Sequence, residues 1–378
     1  MNIDCLEIIS VIRKKLDSLM EKIDPSGTDE PNGISIGGRY TAKFTCFFKP
    51  GWTYSFYLAM IALMYIHTGE SKYIEYLEKA KKTYTLFLWG NKEEIGHDSG
   101  FLYSLYAVAM YKLTGNEDYM QLALKAADEI GKRYRFEPRH MQAFYDMRIR
   151  GITDDVTQMI VDDMMNMCLL IWAYRQTGHS FYRSVFTNHI ETAVQYLIRD
   201  DYSVRHAYHF DARSGRPVTE ANVCGYAVGS HWARGTTWMI YGLTKVLQYS
   251  QDKERYLSPL EGVAAKYLEY TSDYAVPVWD FRLPEGAEII YDSSAAAIAG
   301  SAFMEFGKIG VKASIAEQAA KTADNAIAEL CKKEYFGGDD AEYILKYQNG
   351  EGALWGDYFF TELLMKKLYG DKLVDFWI

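Results

Sequence analysis

The sequence predicts an all-α fold, an (α/α)6 barrel of six helical hairpins with its active site at the N-terminal ends of the inner, even-numbered helices. Three observations predict it. A phrase recurs as Tyr65-Ile-His-Thr-Gly69, Tyr111-Lys-Leu-Thr-Gly115 and Tyr174-Arg-Gln-Thr-Gly178, each time followed by a short polar turn and a new amphipathic run. Apolar residues recur at helical spacing in about twelve runs. The long irregular connections always lead into an even-numbered run, which puts them on one rim, where function usually concentrates.

Taken in order, the helices are expected near 3–24, 53–68, 71–89, 98–114, 117–135, 162–177, 180–199, 230–250, 252–271, 292–307, 311–332 and 355–369. Gly69, Gly115 and Gly178 close the second, fourth and sixth, each at the position after a helix cap. After Gly115 the antiparallel partner follows at once, with Tyr119, Met120, Leu122, Leu124, Ala126, Ala127 and Ile130 on its apolar stripe. Weaker copies of the stop signal, Tyr249-Ser-Gln-Asp252 and Phe306-Gly-Lys-Ile-Gly310, close the eighth and tenth. The connections 25–52, 136–161, 200–229, 272–291 and 333–354 are too long and uneven for an open solenoid, whose repeats are uniform and tightly linked. A short β-hairpin is expected within Ser203–Pro217. Nothing reads as a linker between domains, so residues 1–378 are expected to form a single catalytic domain.

Composition narrows the function classes. A hydrophobic share of 49% with 24% charged residues supports a large buried core. The net charge of −9 argues against a nucleic-acid or anionic-membrane partner, either of which calls for clustered Lys and Arg. Apolar windows such as Ile61–Met64 and Met167–Trp172 fall far short of the roughly 20 residues that span a bilayer. An acidic start, Met1-Asn-Ile-Asp4, shows no export signal. Cys5, Cys46, Cys168, Cys224 and Cys331 are odd in number and widely spaced, which favours a reducing cytoplasm over a disulfide framework. Aromatic residues reach 15%, which fits either an aromatic-rich core or surfaces that stack on sugar rings.

The starts of the even helices carry the chemistry. They read Gly51-Trp52-Thr53, His97-Asp98-Ser-Gly-Phe101, Val161-Asp162-Asp163-Met-Met-Asn166, Ser230-His231-Trp232-Ala-Arg234-Gly235, Tyr291-Asp292-Ser-Ser294 and Leu354-Trp355-Gly-Asp357-Tyr358. On an inner ring these six segments converge on one mouth lined by carboxylates and Trp, suited to a sugar. Each residue alone has a plainer reading. An Asp at a helix start caps free N–H groups, and Trp is often core. His206-Ala-Tyr-His209 has a spacing that could serve a metal, but no Glu or Cys completes the set, and no metal or other cofactor is expected. A proton donor needs a raised pKa, which burial and a second carboxylate supply. Asp98 and Asp162 form such a pair. Asp163, rotated by roughly 100° on the same helix, is expected to point away from the mouth.

With these phrases in view, the chain resembles the unsaturated glucuronyl hydrolases of glycoside hydrolase family 88. The resemblance rests on His97-Asp98-x-Gly-Phe101, Val161-Asp162-x-Met-Met-Asn166, Trp232-Ala-Arg-Gly235 with Trp238, Val276-Pro-x-x-Trp-Asp-Phe281, Asp292-Ser-Ser-Ala-Ala-Ala297 and Trp355-Gly-Asp-Tyr358, in order from about residue 40 onward. It implies a metal-free hydrolase that removes a 4,5-unsaturated uronic acid from lyase-generated oligosaccharides, with glycosaminoglycan-type disaccharides favoured. In that family an Asp protonates C4 of the vinyl ether and activates water toward C5, and the resulting hemiketal rearranges and releases the sugar. By the same resemblance Asp162 is the acid/base and Asp98 the second essential carboxylate. Trp52, His97, His206, Trp232, Arg234 and Trp238 are then substrate-binding, the tryptophans by stacking and Arg234 by pairing with a carboxylate.

The pattern is broken in three places. Cys224-Gly225 stands where many members carry Gln-Gly, Ser55-Phe-Tyr57 replaces Gly-Phe-Trp, and Lys346-Tyr-Gln348 lacks the usual His. These positions bear on the choice of substrate. Rival readings on the same barrel are an unsaturated rhamnogalacturonyl hydrolase, a sugar epimerase working through histidines, and a non-catalytic sugar-binding protein.

Overall fold

The three repeated phrases fold identically. In the computed structural model, which describes residues 3–26, 29–44, 50–90, 95–144, 155–250 and 252–378, Gly69, Gly115 and Gly178 have φ of +73°, +68° and +69°. Their N–H groups return to the Tyr carbonyls four residues back at 2.8, 2.8 and 2.7 Å. The preceding threonine hydroxyls donate to carbonyls one turn earlier at 2.8, 2.7 and 2.8 Å. They also accept the first N–H beyond the glycine at 3.2, 3.2 and 3.1 Å. One side chain and one left-handed residue thus satisfy the open helix end and turn the chain into the next helix.

Among the described residues the helices are α1 (Cys5–Lys22), α2 (Tyr54–Thr68), α3 (Ser71–Lys79, then Lys81–Gly90), α4 (Ser99–Tyr103, continuing through Ala109–Thr114), α5 (Glu117–Gly131), α6 (Asp163–Thr177), α7 (Ser180–Leu197), α8 (Ala233–Tyr249), α9 (Lys253–Tyr270), α10 (Ser293–Phe303), α11 (Ala313–Leu330) and α12 (Leu354–Tyr369). Two departures from the expected runs are internal. α3 breaks at Ala80, and α4 widens into a π-helical turn over Ser104–Val108. Even-numbered helices close an inner ring, with α2 packed on α4 and α12, α6 on α4 and α8, and α10 on α8 and α12. Odd-numbered helices pack outside it.

Burial separates the two rings. Every residue of Tyr54–Met64 in α2, Asp163–Ala173 in α6 and Leu354–Met365 in α12 is buried. By contrast α1 buries only Ile9, Ile12, Leu16 and Leu19 behind Cys5, a single stripe at helical spacing. The barrel axis is filled by aromatic rings: Phe101 meets Trp238 at 5.6 Å, Trp238 meets Phe359 at 5.4 Å, and Phe359 stacks on Trp377 at 5.8 Å. The twelve largest fully buried side chains are all Trp or Tyr, so most of the aromatic excess is core.

The expected hairpin exists but lies later and has a third strand. β1 (Val156–Ile160), β2 (Ala207–Asp211) and β3 (Pro217–Ala221) form an antiparallel sheet in that order. Ile160 pairs with Ala207. Two further strand pairs, Asp29–Pro31 with Ala42–Phe44 and Tyr134–Arg135 with His140–Met141, sit in the same class of long connection. Cys46, and parts of the connections 25–52 and 136–161, lie outside the described residues.

Candidate active site

Asp98 and Asp162 occupy the N-cap positions of α4 and α6, yet neither makes a side-chain capping bond. The plainer reading of an acid at a helix start therefore fails for these two. It holds for Asp292, whose Oδ1 accepts Ala295 N at 3.1 Å. Asp357 has another task, accepting Leu345 N at 2.7 Å and the Tyr40 hydroxyl at 2.8 Å and so pinning two loops to α12. The starts of α4 and α6 approach closely because Gly100 has no side chain: a Cβ there would lie 2.4 Å from Asn166 Cα. Asn166 Oδ1 then accepts Phe101 N at 2.9 Å and ties the two starts together.

Each carboxylate has its own histidine. His97 Nε2 lies 3.3 Å from Asp98 Oδ1, and His206 Nε2 lies 3.4 Å from Asp162 Oδ2. The sheet delivers the second pair: Val161 N donates to His206 O at 2.9 Å, extending the β1–β2 ladder one step into the mouth. Val223 N and Cys224 N both donate to His206 Nδ1, at 3.1 and 2.8 Å. In the neutral ring the proton therefore sits on Nε2, facing Asp162. His209 goes elsewhere, to Gln158 Oε1 at 3.0 Å, so the two histidines of His206-Ala-Tyr-His209 share no site.

A third group faces the pair from α8. The Arg234 guanidinium lies 4.6 Å from the Trp232 ring, 5.1 Å from Trp355 and 5.3 Å from Tyr347. Its Nη1 donates to Asp292 Oδ2 at 2.9 Å and to the Tyr347 hydroxyl at 2.7 Å. Both Nη1 protons are then used, and the Nε–Nη2 edge, which carries the parallel donors of a bidentate fork, makes no bond among the described residues. Trp52 stacks on Trp355 at 5.2 Å, and Trp232 lies 4.7 Å from the His206 ring. Gly235 lets Trp232 fold back over its own helix, since a Cβ there would meet the indole at 2.5 Å.

Electrostatics split the two acids. Burial, the largest influence, pushes Asp98 up from the usual carboxyl range, and the charge of Asp162 adds to it against His97 and Arg133. Burial also pushes Asp162 up most strongly, but the close approach of His206 and the charges of His206, His97 and Arg234 outweigh it, and the net direction is down. The sequence led to the expectation that Asp98 holds a proton on Asp162. In the free enzyme the order is reversed: Asp98 is the carboxyl pushed up and Asp162 the one held down.

Of the residues singled out from sequence, Asp98, Asp162, His97, His206, Trp52, Trp232 and Arg234 gather at the mouth. Trp238 lies deeper, 1% exposed and packed on Phe101 and Phe359, with its indole N–H unpartnered among the described residues. Asp163 is a correction. It does not face away from the site but is fully buried, and its carboxyl is coupled to Asp98 and Asp162. Tyr347, Trp355 and Asp292 were not chosen as site residues. Only their place at the starts of even helices or in the last long connection hinted at them, and Asp292 was masked by its genuine capping role.

Fold and mouth together define the class: a helical barrel that gathers two carboxyls, two histidines and an arginine among tryptophans at one mouth. Comparison with known proteins narrows it. The profile of glycosyl hydrolase family 88 matches residues 32–356. The unsaturated chondroitin disaccharide hydrolase of Streptococcus pyogenes serotype M1 is 30% identical over 327 residues, covering 83% of this chain and 80% of that protein. The unsaturated glucuronyl hydrolase of Bacillus sp. (strain GL1) is 29% identical over 326 residues, covering 83% and 85%. The crystal structure of the Bacillus sp. GL1 unsaturated glucuronyl hydrolase superposes with a TM-score of 0.84 at 27% identity, covering 97% of this chain and 98% of that one. The chain belongs to glycosyl hydrolase family 88, and it is a glycoside hydrolase on an (α/α)6 barrel.

Proposed function

We propose that this enzyme removes a 4,5-unsaturated uronic acid from the non-reducing end of lyase-generated oligosaccharides, glycosaminoglycan-type disaccharides first among them, with Asp98 and Asp162 as its catalytic carboxyls. One observation carries the reading: two acids at neighbouring inner-helix starts forgo capping, each beside a histidine, opposite an arginine whose Nε–Nη2 fork makes no bond among the described residues. The relatives named for unsaturated chondroitin disaccharide and glucuronyl substrates support the substrate class. The Nε–Nη2 fork of Arg234 receives the uronate carboxylate, and Trp52 and Trp232 flank the flattened ring.

The split acidities then supply a sequence of events. Arg234 is one of the charges that keep Asp162 ionised. A substrate carboxylate seated on Arg234 cancels that influence, which raises the proton affinity of Asp162 so that it takes up a proton beside Asp98. Asp162 gives this proton to C4 while one water adds its oxygen to C5 and returns a proton to the pair. The product is a hemiketal at C5. Its C5–O5 bond breaks to leave a C5 ketone, the hemiacetal at C1 collapses to an aldehyde, and the leaving sugar departs with its oxygen protonated. One water is consumed. The free thiols of Cys5, Cys168 and Cys331 fit a reducing compartment, and we place the enzyme in the cytoplasm on that ground.

The test follows the ultraviolet absorbance of the conjugated C4=C5 carboxylate on a panel of unsaturated disaccharides from chondroitin, hyaluronan, heparin and pectin-derived rhamnogalacturonan. Loss of absorbance with release of one free sugar is the expected result on a glycosaminoglycan member. Turnover of the pectin-derived substrate alone would transfer the assignment to the rhamnogalacturonyl reading, and no loss on any member by folded protein would overturn both.

A further inference from the structure

Asp163 opens α6 immediately after Asp162, and none of its side chain is exposed. Its Oδ1 is reached by Asn166 Nδ2 at 3.5 Å, a long contact, and its Oδ2 is buried with no hydrogen-bond partner among the described residues. The same Asn166 carries the bond to Phe101 N that joins the starts of α4 and α6. Asp163 therefore lies at the seam between the two helices that present the catalytic acids. An ionised carboxylate with an orphaned oxygen in such a place is costly, and a buried group of this kind ordinarily keeps its proton.

We propose that Asp163 is a positioning residue of the reaction, a third carboxyl at the α4–α6 seam that acts through Asp98 and Asp162 by holding or releasing one buried charge. The proposal rests on the hydrolase reading above. The charged groups that act on Asp163 are His97 and Asp98 at the start of α4, Arg133 just beyond α5 and Asp162 on its own helix; Arg234 of α8 acts on Asp162. Burial first, then Asp162 and Asp98, push the Asp163 carboxyl up to about 7, against His97 and Arg133. Coupling is mutual. Below that range the seam carries no third charge. Above it the new negative charge holds protons on the catalytic pair to higher pH.

Asp163→Asn, isosteric with the neutral acid, makes the test. On any substrate the wild-type enzyme turns over, the ratio of variant to wild-type kcat should decline as pH rises through about 7, and the basic limb should move down by about half a pH unit or more, with KM within about two-fold. Asp163→Ser, equally neutral and smaller, should show the same pH-shaped ratio. A constant ratio at every pH, however small the ratio, would mean a structural role only and would overturn the proposal. So would failure of the Asn variant to fold below pH 6, where it matches the neutral acid in shape and charge. Absence of wild-type turnover on every substrate would instead count against the hydrolase reading.

Discussion

At the scale of single residues, Asp162 shows how a missing bond is informative. Because its side chain caps nothing, Asp162→Asn removes a proton carrier without removing a structural contact of α6. Stability measured by urea unfolding should change by less than about 1 kcal/mol, while turnover should fall by about 10² to 10⁴-fold, the usual share of general acid–base catalysis. Asp98→Asn should also impair turnover, since it removes the second carboxyl whose charge acts with that of Asp162. Near-normal turnover of both variants on a proven substrate would remove the pair from the mechanism. The placement of the two acids at one mouth was legible in the sequence, but the split in their acidities was not: it depends on His206 and Arg234, which approach Asp162 from other elements.

Elements are joined by a repeated device, and the device can be tested by itself. Gly69, Gly115 and Gly178 have positive φ, and no atom lies within 4 Å of a Cβ placed on any of them. An alanine there meets no obstacle, so its cost is purely that of holding an L-residue in the left-handed region. Gly115→Ala should therefore destabilise by about 1–2 kcal/mol, with activity at low temperature retained. A stability change near zero would show that the turn can relax. These turns lie at the C-terminal ends of α2, α4 and α6, whereas the mouth lies at the N-terminal ends. Turn chemistry of this kind depends on a few adjacent residues, which is why nearly all helix ends were legible, while β1 was not. A five-residue strand inside a long connection gains its identity only from pairing with β2, some fifty residues away.

Across the whole molecule, buried charges at the two ends of the barrel set opposite pH limits. Burial pushes both Asp163 and Asp357 from 3.8 to about 7. A carboxyl raised in this way contributes stability that is complete below about pH 4 and is lost as pH rises through about 7; each three-unit shift is worth on the order of 4 kcal/mol. Burial also acts against ionised Glu305 and Asp375, but Lys366 and Lys245 hold the first below its usual range, and Lys245 and Lys112 hold the second there. Their stabilisation is present above the ordinary carboxyl range and is lost as pH falls. Thermal unfolding followed by circular dichroism should show a maximum near pH 4–5 and a decline that runs to about pH 7, and Asp163→Asn should lessen that decline. A melting temperature that still rises between pH 6 and 8 would contradict this account.

What the sequence determined by itself is local and periodic. The spacing of apolar residues, the Thr-Gly stops and the long connections before even-numbered runs defined the barrel and the rim, because each depends on residues a few positions apart. The gathering of Asp98, Asp162, Trp232 and Arg234 followed from that topology. Only the tertiary structure decided how they work. Arg234 owes its orientation to Asp292, 58 residues away, and Tyr347, 113 residues away. His206 faces Asp162 because of a strand register, and its tautomer is set by two backbone N–H groups of another loop. Asp163 was expected to turn outward because neighbouring helical residues diverge, yet on an inner helix buried on every side there is no outward direction. Rotation about a helix can be read from sequence, but what stands opposite each face depends on the closing of the ring.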